Sequence, residues 1–155
     1  MTYFDTDYLA KCYIVENGSA EVRVLARERE RIACSVFGRM ELHAVFHRKL
    51  REKSLTASQL EIVLKQLDLD EQQGLWTWLP LTDAIVATVA ATFRSLPASV
   101  SLRTGDAIHL ASARSASLPE IFSGDIRVVA AAPHFGLTGR NVIGPAIPGS
   151  AGGKG

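Results

Sequence analysis

Short apolar runs alternate along this chain with longer stretches in which apolar residues recur at helical spacing. Thr2 to Asp5 is a short apolar strand start, and from Asp7 to Val15 the residues Tyr8, Leu9, Cys12 and Tyr13 follow a helical period. Gly18-Ser19 breaks that helix and offers a cap for a second one through Glu30, and Arg31 to Val36 is a β-branched, apolar-rich strand of the buried type. Gly38 is expected to separate this strand from a third helix, Arg39 to Lys53. Thr56 caps another helix reaching about Gln73, Gly74 ends it, and Leu75 to Leu79 alternates like a strand until Pro80. Thr82 caps a helix ending near Leu96-Pro97, and Arg103 or Thr104 opens one running to Ser117. Glu120 to Ser123 then reads as a short strand before a helix after Asp125, and Asn141 to Ile143 is a candidate last strand.

Strands separated by helices, with almost no hairpin signals, imply an α/β fold: a mainly parallel sheet covered on both faces by right-handed crossovers. At 155 residues the chain suits one domain, and with 47% hydrophobic and 21% charged residues it can form a packed core. That domain is expected over residues 1–143. Gly144 to Gly155, built mostly from Gly, Pro, Ala and Ser, cannot contribute core and is expected to be a flexible tail. No apolar run is long enough to cross a bilayer, and the first residues lack the basic and apolar regions of a signal peptide, so a cytoplasmic location is expected. Cys12 and Cys34 sit inside predicted elements at no metal-like spacing and read as buried free thiols.

Charge changes this picture only locally. The net charge is +1, yet residues 23 to 53 carry nine Lys or Arg against four Glu. Two solvated helix faces and a phosphate-facing patch both account for that excess.

The acids are more informative. In a parallel α/β sheet the carboxyl ends of the strands and the starts of the following helices meet along one edge, where ligands bind. Asp5 ends the first strand, Glu41 lies in the first turn of the helix after the second, Asp106 opens its own helix, and Asp125 follows a short strand. Four carboxylates distant in sequence can therefore converge. Like charges brought together raise one another's pKa and oppose folding unless a cation neutralises them. All-oxygen ligation favours a hard ion such as Mg²⁺ or Mn²⁺, which keeps positions open for a substrate phosphate. Each acid taken singly could equally decorate a helix N-terminus, so the inference rests on the set.

Asp83, beside the cap Thr82, reads as structural. His43 and His47 share a helix face but lack the adjacent Glu of a zinc-protease helix. His109 follows Asp106 by three residues on the same face and reads as a hydrogen-bonded structural histidine rather than a base. Trp76 and Trp78 read as strand packing, not a base-stacking platform.

The segment Tyr3-Phe4-Asp5-Thr6-Asp7-Tyr8-Leu9-Ala10-Lys11 resembles the opening of PIN-domain proteins, especially VapC-type toxins of toxin–antitoxin pairs. Ser35 to Leu50, containing Arg39-Met40-Glu41-Leu42, is similar to that family's second-acid helix. Leu102-Arg103-Thr104-Gly105-Asp106-Ala107-Ile108-His109-Leu110-Ala111 matches its third-acid motif, and Phe122-Ser123-Gly124-Asp125 its Thr-or-Ser, any residue, Asp signature. The resemblance spans about residues 2 to 143 in order and spacing. It implies a three-layer α/β/α sandwich with a central parallel sheet, metal-dependent endonuclease activity on RNA, frequent homodimerisation, and inhibition by a cognate antitoxin. Asp7 departs from the pattern, since many relatives carry Ser or Thr there, and an extra carboxylate could strengthen metal binding or disturb substrate placement. Ser123 keeps the hydroxyl of the commoner Thr.

The expected chemistry is in-line attack on an RNA phosphodiester by metal-activated water, without a covalent intermediate. Asp5, Asp106 and Asp125 are the expected metal ligands, and Glu41 a further ligand or the group orienting the water. Asp7 and Ser123 are secondary candidates, and Arg39 is a candidate phosphate contact. Two rival readings are a non-catalytic PIN-like module binding RNA or protein, and a haloacid-dehalogenase-type phosphatase using Asp5 and Asp7. The second is opposed by Leu9 and Val129, which stand where that family needs Thr or Val and an acid.

Overall fold

The computed structural model describes residues 1–144. Five strands, β1 (Thr2–Phe4), β2 (Ile32–Ser35), β3 (Trp76–Leu79), β4 (Glu120–Phe122) and β5 (Thr138–Arg140), form one sheet in the order β3-β2-β1-β4-β5. Every pairing is parallel, so the mainly parallel sheet expected from the sequence is wholly parallel among the described residues. The tail expected over residues 144–155 lies outside the described residues except for Gly144.

Strand alternation sorts the core into two layers, because successive side chains on a strand point to opposite faces. Tyr3, Ala33 and Ile121 face α5 (Asp83–Ser95), α6 (Thr104–Ser115) and α7 (Ile126–Ala131), where they pack with Ile85, Leu110 and Val128. Phe4, Ile32 and Phe122 face the opposite layer, formed by α1 (Thr6–Tyr13), α2 (Ser19–Arg27), α3 (Val36–Arg51) and α4 (Ala57–Gln72). There they meet Tyr8, Leu42, Phe46 and Leu67. The result is the expected three-layer α/β/α sandwich. Trp76 is buried within the second layer and Trp78 donates its indole N–H to Glu71, so both tryptophans serve strand packing.

Three strand-to-helix junctions at the carboxyl edge are cut to a minimum by polar caps. Asp5 accepts from the Tyr8 amide at the start of α1, Ser35 from the Phe37 amide at the start of α3, and Asp125 from the Arg127 amide at the start of α7. A capping box between Thr56 and Gln59 opens α4, as the sequence suggests for Thr56. The chain leaves β1 toward one side of the sheet and returns through α5 and α6 to place β4 on the other. The order therefore reverses beside β1, with Asp5 and Asp125 ending the two strands that flank the reversal.

Several boundaries differ from expectation. Gly38 does not divide β2 from α3 but lies inside that helix, because Ser35 already caps it. A Cβ at Gly38 would sit 2.7 Å from His109 Cε1 and closer still to Cys34 Sγ, so glycine permits the approach of three elements. The last strand is Thr138–Arg140, not Asn141 to Ile143. Tyr8 explains the shift: its hydroxyl donates to Asn141 Oδ1 at 2.8 Å and accepts from the Val142 amide at 2.8 Å, drawing this segment off the sheet and over α1.

Candidate active site

Asp5, Asp7, Glu41, Asp106 and Asp125 all line one cavity of about 260 Å³ at the carboxyl edge of the sheet. They come from β1–α1, α3, α6 and the β4–α7 turn, so only the tertiary fold assembles them. Arg48 and Arg103 share the lining. Beside it lies a wider groove of about 840 Å³, bounded by Asp7, Lys11, Arg48, Gly124, Asn141 and Ile143, and the two share Asp7, Glu16, Arg48 and Asp125.

The acids occupy different environments. Asp5 is buried, and loss of hydration pushes its carboxyl up to about 6 despite the hydrogen bonds from Ser123 and Tyr8. Asp106 is also raised, first by burial and then by the charge of Asp125, and its Oδ2 is buried with no hydrogen-bond partner. Partial burial pushes Glu41 up, but hydrogen bonds from His109 and Thr6 outweigh it and hold the carboxyl below its ordinary value. Asp125 is lowered, chiefly by the Arg127 guanidinium, which donates to both of its oxygens.

The donor chemistry suits a divalent cation in one respect: Asp106 Oδ2, a buried carboxylate oxygen without a donor, lines the same cavity as Asp5, whose ionised form burial disfavours, so this edge is short of positive charge. Among the described residues, however, no three His, Cys, Asp or Glu side chains stand close enough to share one ion. Glu41 Oε2 is occupied by Thr6 and His109, and Asp125 by Arg127, so the acids share a cavity without sharing a ligand position.

The secondary candidates separate. Asp7 lines the cavity but pairs with Lys11 at 2.7 Å, and Lys11 with Glu16 at 3.0 Å, so its extra charge is balanced within the protein. Ser123 is fully buried and its hydroxyl accepts from the Asp125 amide at 2.9 Å, shaping the turn that carries the acid. Arg39 does not line the cavity: it binds Glu71 through two nitrogens at 2.9 and 2.7 Å, and its guanidinium lies over the Trp78 ring. His109 is buried and hydrogen-bonded, as expected for a structural histidine. Its partners Tyr3 and Thr6, and the Lys11–Glu16–Lys49 ion pairs, were not singled out in the sequence. Only the Asp7–Lys11 pair carried a signal there, the i,i+4 helical spacing.

The sheet is doubly wound, with acids gathered at its switch point, the edge where ligands generally bind in open α/β folds. The PIN domain profile matches residues 3–132, and the chain belongs to the PIN-domain family. That membership displaces the phosphatase reading of Asp5 and Asp7. Among solved structures, FitAcB from Neisseria gonorrhoeae is similar with a TM-score of 0.70 at 16% identity, covering 90% of this chain and 96% of the other. A toxin–antitoxin complex from Klebsiella pneumoniae gives 0.58 at 18% identity, covering 86% and 94%. VapBC2 from Rickettsia felis, bound to a DNA fragment from its promoter, gives 0.62 at 15% identity, covering 91% and 98%. These likenesses concern the fold. No curated protein sequence matches the chain.

Proposed function

We propose that this protein is a metal-dependent endoribonuclease of the VapC type, the toxin of a toxin–antitoxin pair. The observation that carries the reading is the convergence of Asp5, Glu41, Asp106 and Asp125 on one cavity, with Asp106 Oδ2 left without a donor. Asp5, Asp106 and Asp125 would hold Mg²⁺ or Mn²⁺ directly or through the ion's own waters, which span carboxylates too far apart to ligate it together. When bound, such an ion supplies a water of lowered pKa and neutralises charge on the phosphate oxygens. Glu41 then orients the attacking water through Oε1, the oxygen to which no side chain among the described residues donates. Arg48 and Arg103, on the rim, suit the phosphates of a polyanion, and the adjoining groove gives an extended strand room on one side. No covalent intermediate is needed, because water is the nucleophile.

The comparison structure described as a toxin–antitoxin complex supports a cognate antitoxin as the protein partner. Family resemblance supports a homodimer. The test is incubation of a mixed RNA pool with purified protein, free of antitoxin, in Mg²⁺, in Mn²⁺ and in EDTA, alongside Asp106→Ala. Metal-dependent cleavage that falls at least about 100-fold in the variant is expected. A folded protein that cleaves nothing under any of these conditions would leave the non-catalytic binding module in its place.

A further inference from the structure

Directly behind Glu41 runs a chain of hydrogen bonds that begins at an obligate donor. The Ser35 amide donates to the Tyr3 hydroxyl at 3.1 Å, and an amide N–H can only donate. Tyr3 oxygen is therefore an acceptor there, and a chain that continues in one direction sends its single proton to His109 Nδ1, 2.9 Å away. The Cys34 thiol, another donor, lies 3.9 Å from the same nitrogen. In that direction Nδ1 accepts and the ring proton belongs on Nε2, which faces Glu41 Oε2 at 2.9 Å and Thr6 Oγ1 at 3.0 Å. Thr6 Oγ1 in turn donates to the same Glu41 oxygen at 2.6 Å.

We propose that His109 is a positioning residue for Glu41, locked by Tyr3 as the Nε2–H tautomer, so that the protein consumes Glu41 Oε2 and presents Oε1 to the cavity. This rests on the nuclease reading for its catalytic consequence, but not for its geometry. Tyr3, Ser35, Thr6 and His109 are all buried, whereas the Glu41 side chain is 36% exposed. The relay therefore fixes a partly solvated acid from the dry side. A glutamate loses much rotamer freedom when ordered, and meeting that cost on folding leaves less to be met when substrate binds. Gly38 completes the arrangement, since its missing Cβ is the space into which the His109 ring and Thr6 fit. Removing a group that orients an active carboxylate typically costs about 10–100-fold in activity.

Metal-free wild type, Tyr3→Phe, Thr6→Val and Thr6→Ser are compared by NMR and then by cleavage rate. Long-range ¹H–¹⁵N spectra report which ring nitrogen of His109 bears the proton, and side-chain couplings report whether Glu41 keeps one rotamer. Tyr3→Phe removes one oxygen and preserves packing, which keeps the comparison sound if substitution of His109 itself fails to fold. The expected result is Nε2–H and one Glu41 rotamer in the wild type. Tautomer mixing in Tyr3→Phe and rotamer averaging in Tyr3→Phe and Thr6→Val should follow. In the last two kcat should fall about 10–100-fold with KM little changed, while Thr6→Ser, which keeps the donor, should stay near wild type. A proton on Nδ1 in the wild type, or a Glu41 rotamer indifferent to both variants, would overturn the proposal whether or not RNA is cleaved. Wild-type kcat in both variants would overturn it as well. Failure of the wild type to cleave RNA, with the NMR results as expected, would instead remove the nuclease reading and leave the positioning of Glu41 intact.

Discussion

Glu41 and Asp125 border the same cavity and are held in opposite ways. Glu41 takes its hydrogen bonds from Thr6 and His109, buried groups on two other helices. Asp125 takes its own from Arg127, two residues along the same turn, with the two side chains 26% and 34% exposed. Donors brought by separate elements exist only once the chain has folded, and they order the carboxylate without placing a mobile cation in the cavity. A neighbouring guanidinium needs no tertiary structure, but it competes with any other cation for the oxygens it binds. The buried half of the site is thus set by the fold, and the exposed half is set by a local ion pair that a ligand can displace.

If that division is right, the largest effects should come from the buried half, and Asp5 should show them most clearly. Its carboxyl is raised to about 6 in the folded protein, against 3.8 for an ordinary aspartate. A folded-state pKa above the unfolded one means that the native state binds the proton more tightly. Stability is then fully present below about pH 4 and falls as pH rises toward 6. Asp5→Asn keeps an N-cap acceptor and removes the charge. Metal-free Asp5→Asn should be more stable than wild type at pH 7.5 by roughly 1 to 3 kcal/mol, and the gain should vanish near pH 4. Urea unfolding at the two pH values measures it, and saturating Mg²⁺ should narrow the gap by stabilising only the wild type. A less stable variant at pH 7.5 would show that the Asp5 charge is already compensated within the protein.

Gly38→Ala perturbs the same half without touching an acid. The added methyl meets Cys34, His109 and Thr6 at distances that require something to shift, and these neighbours are buried. A loss of about 1–3 kcal/mol is expected from overpacking, with Tm as the readout. The equivalent change at Gly105 should cost less, because there the nearest atoms are Glu41 Oε1 and the Phe37 ring at 3.2 Å, which can yield slightly. Equal losses at both positions would mean that the His109 contact is no tighter than the rest of the helix packing.

The same division explains what could be read from the sequence. Asp5 and Asp125 were visible because each stands beside a strand end, and in a parallel sheet those positions share one edge; Glu41 was expected in a first helical turn, but α3 already begins at Val36, so it lies in the second turn and still reaches the same edge. The fold class followed from alternating periods, which depend only on local pattern. The relay behind Glu41 was not visible, since Tyr3, Thr6, Glu41 and His109 are joined across as many as 106 residues and nothing local marks their pairing. Gly38 was misread as a break because a glycine near a helix start resembles punctuation, while its role is set by the neighbouring helix. The last strand was misplaced by three residues for a like reason: Tyr8, far away in sequence, captures Asn141 and Val142.

The exposed half offers the smallest and most discriminating change. Arg127→Ala removes the guanidinium that chiefly lowers Asp125 and also helps to lower Asp106, so both carboxyls should titrate higher in the metal-free protein. A divalent ion would then meet an Asp125 carboxylate no longer shared with an arginine. Mn²⁺ should bind more tightly, by no more than about fivefold, the scale of one exposed ion pair, and with a weaker dependence on salt. Titration calorimetry of wild type and variant in low and moderate salt measures both quantities. Weaker binding in the variant would reverse the assignment: Arg127 would then hold Asp125 in its ligating orientation, and both halves of the site would be preorganised by the protein, differing only in how far their donors come from in the chain.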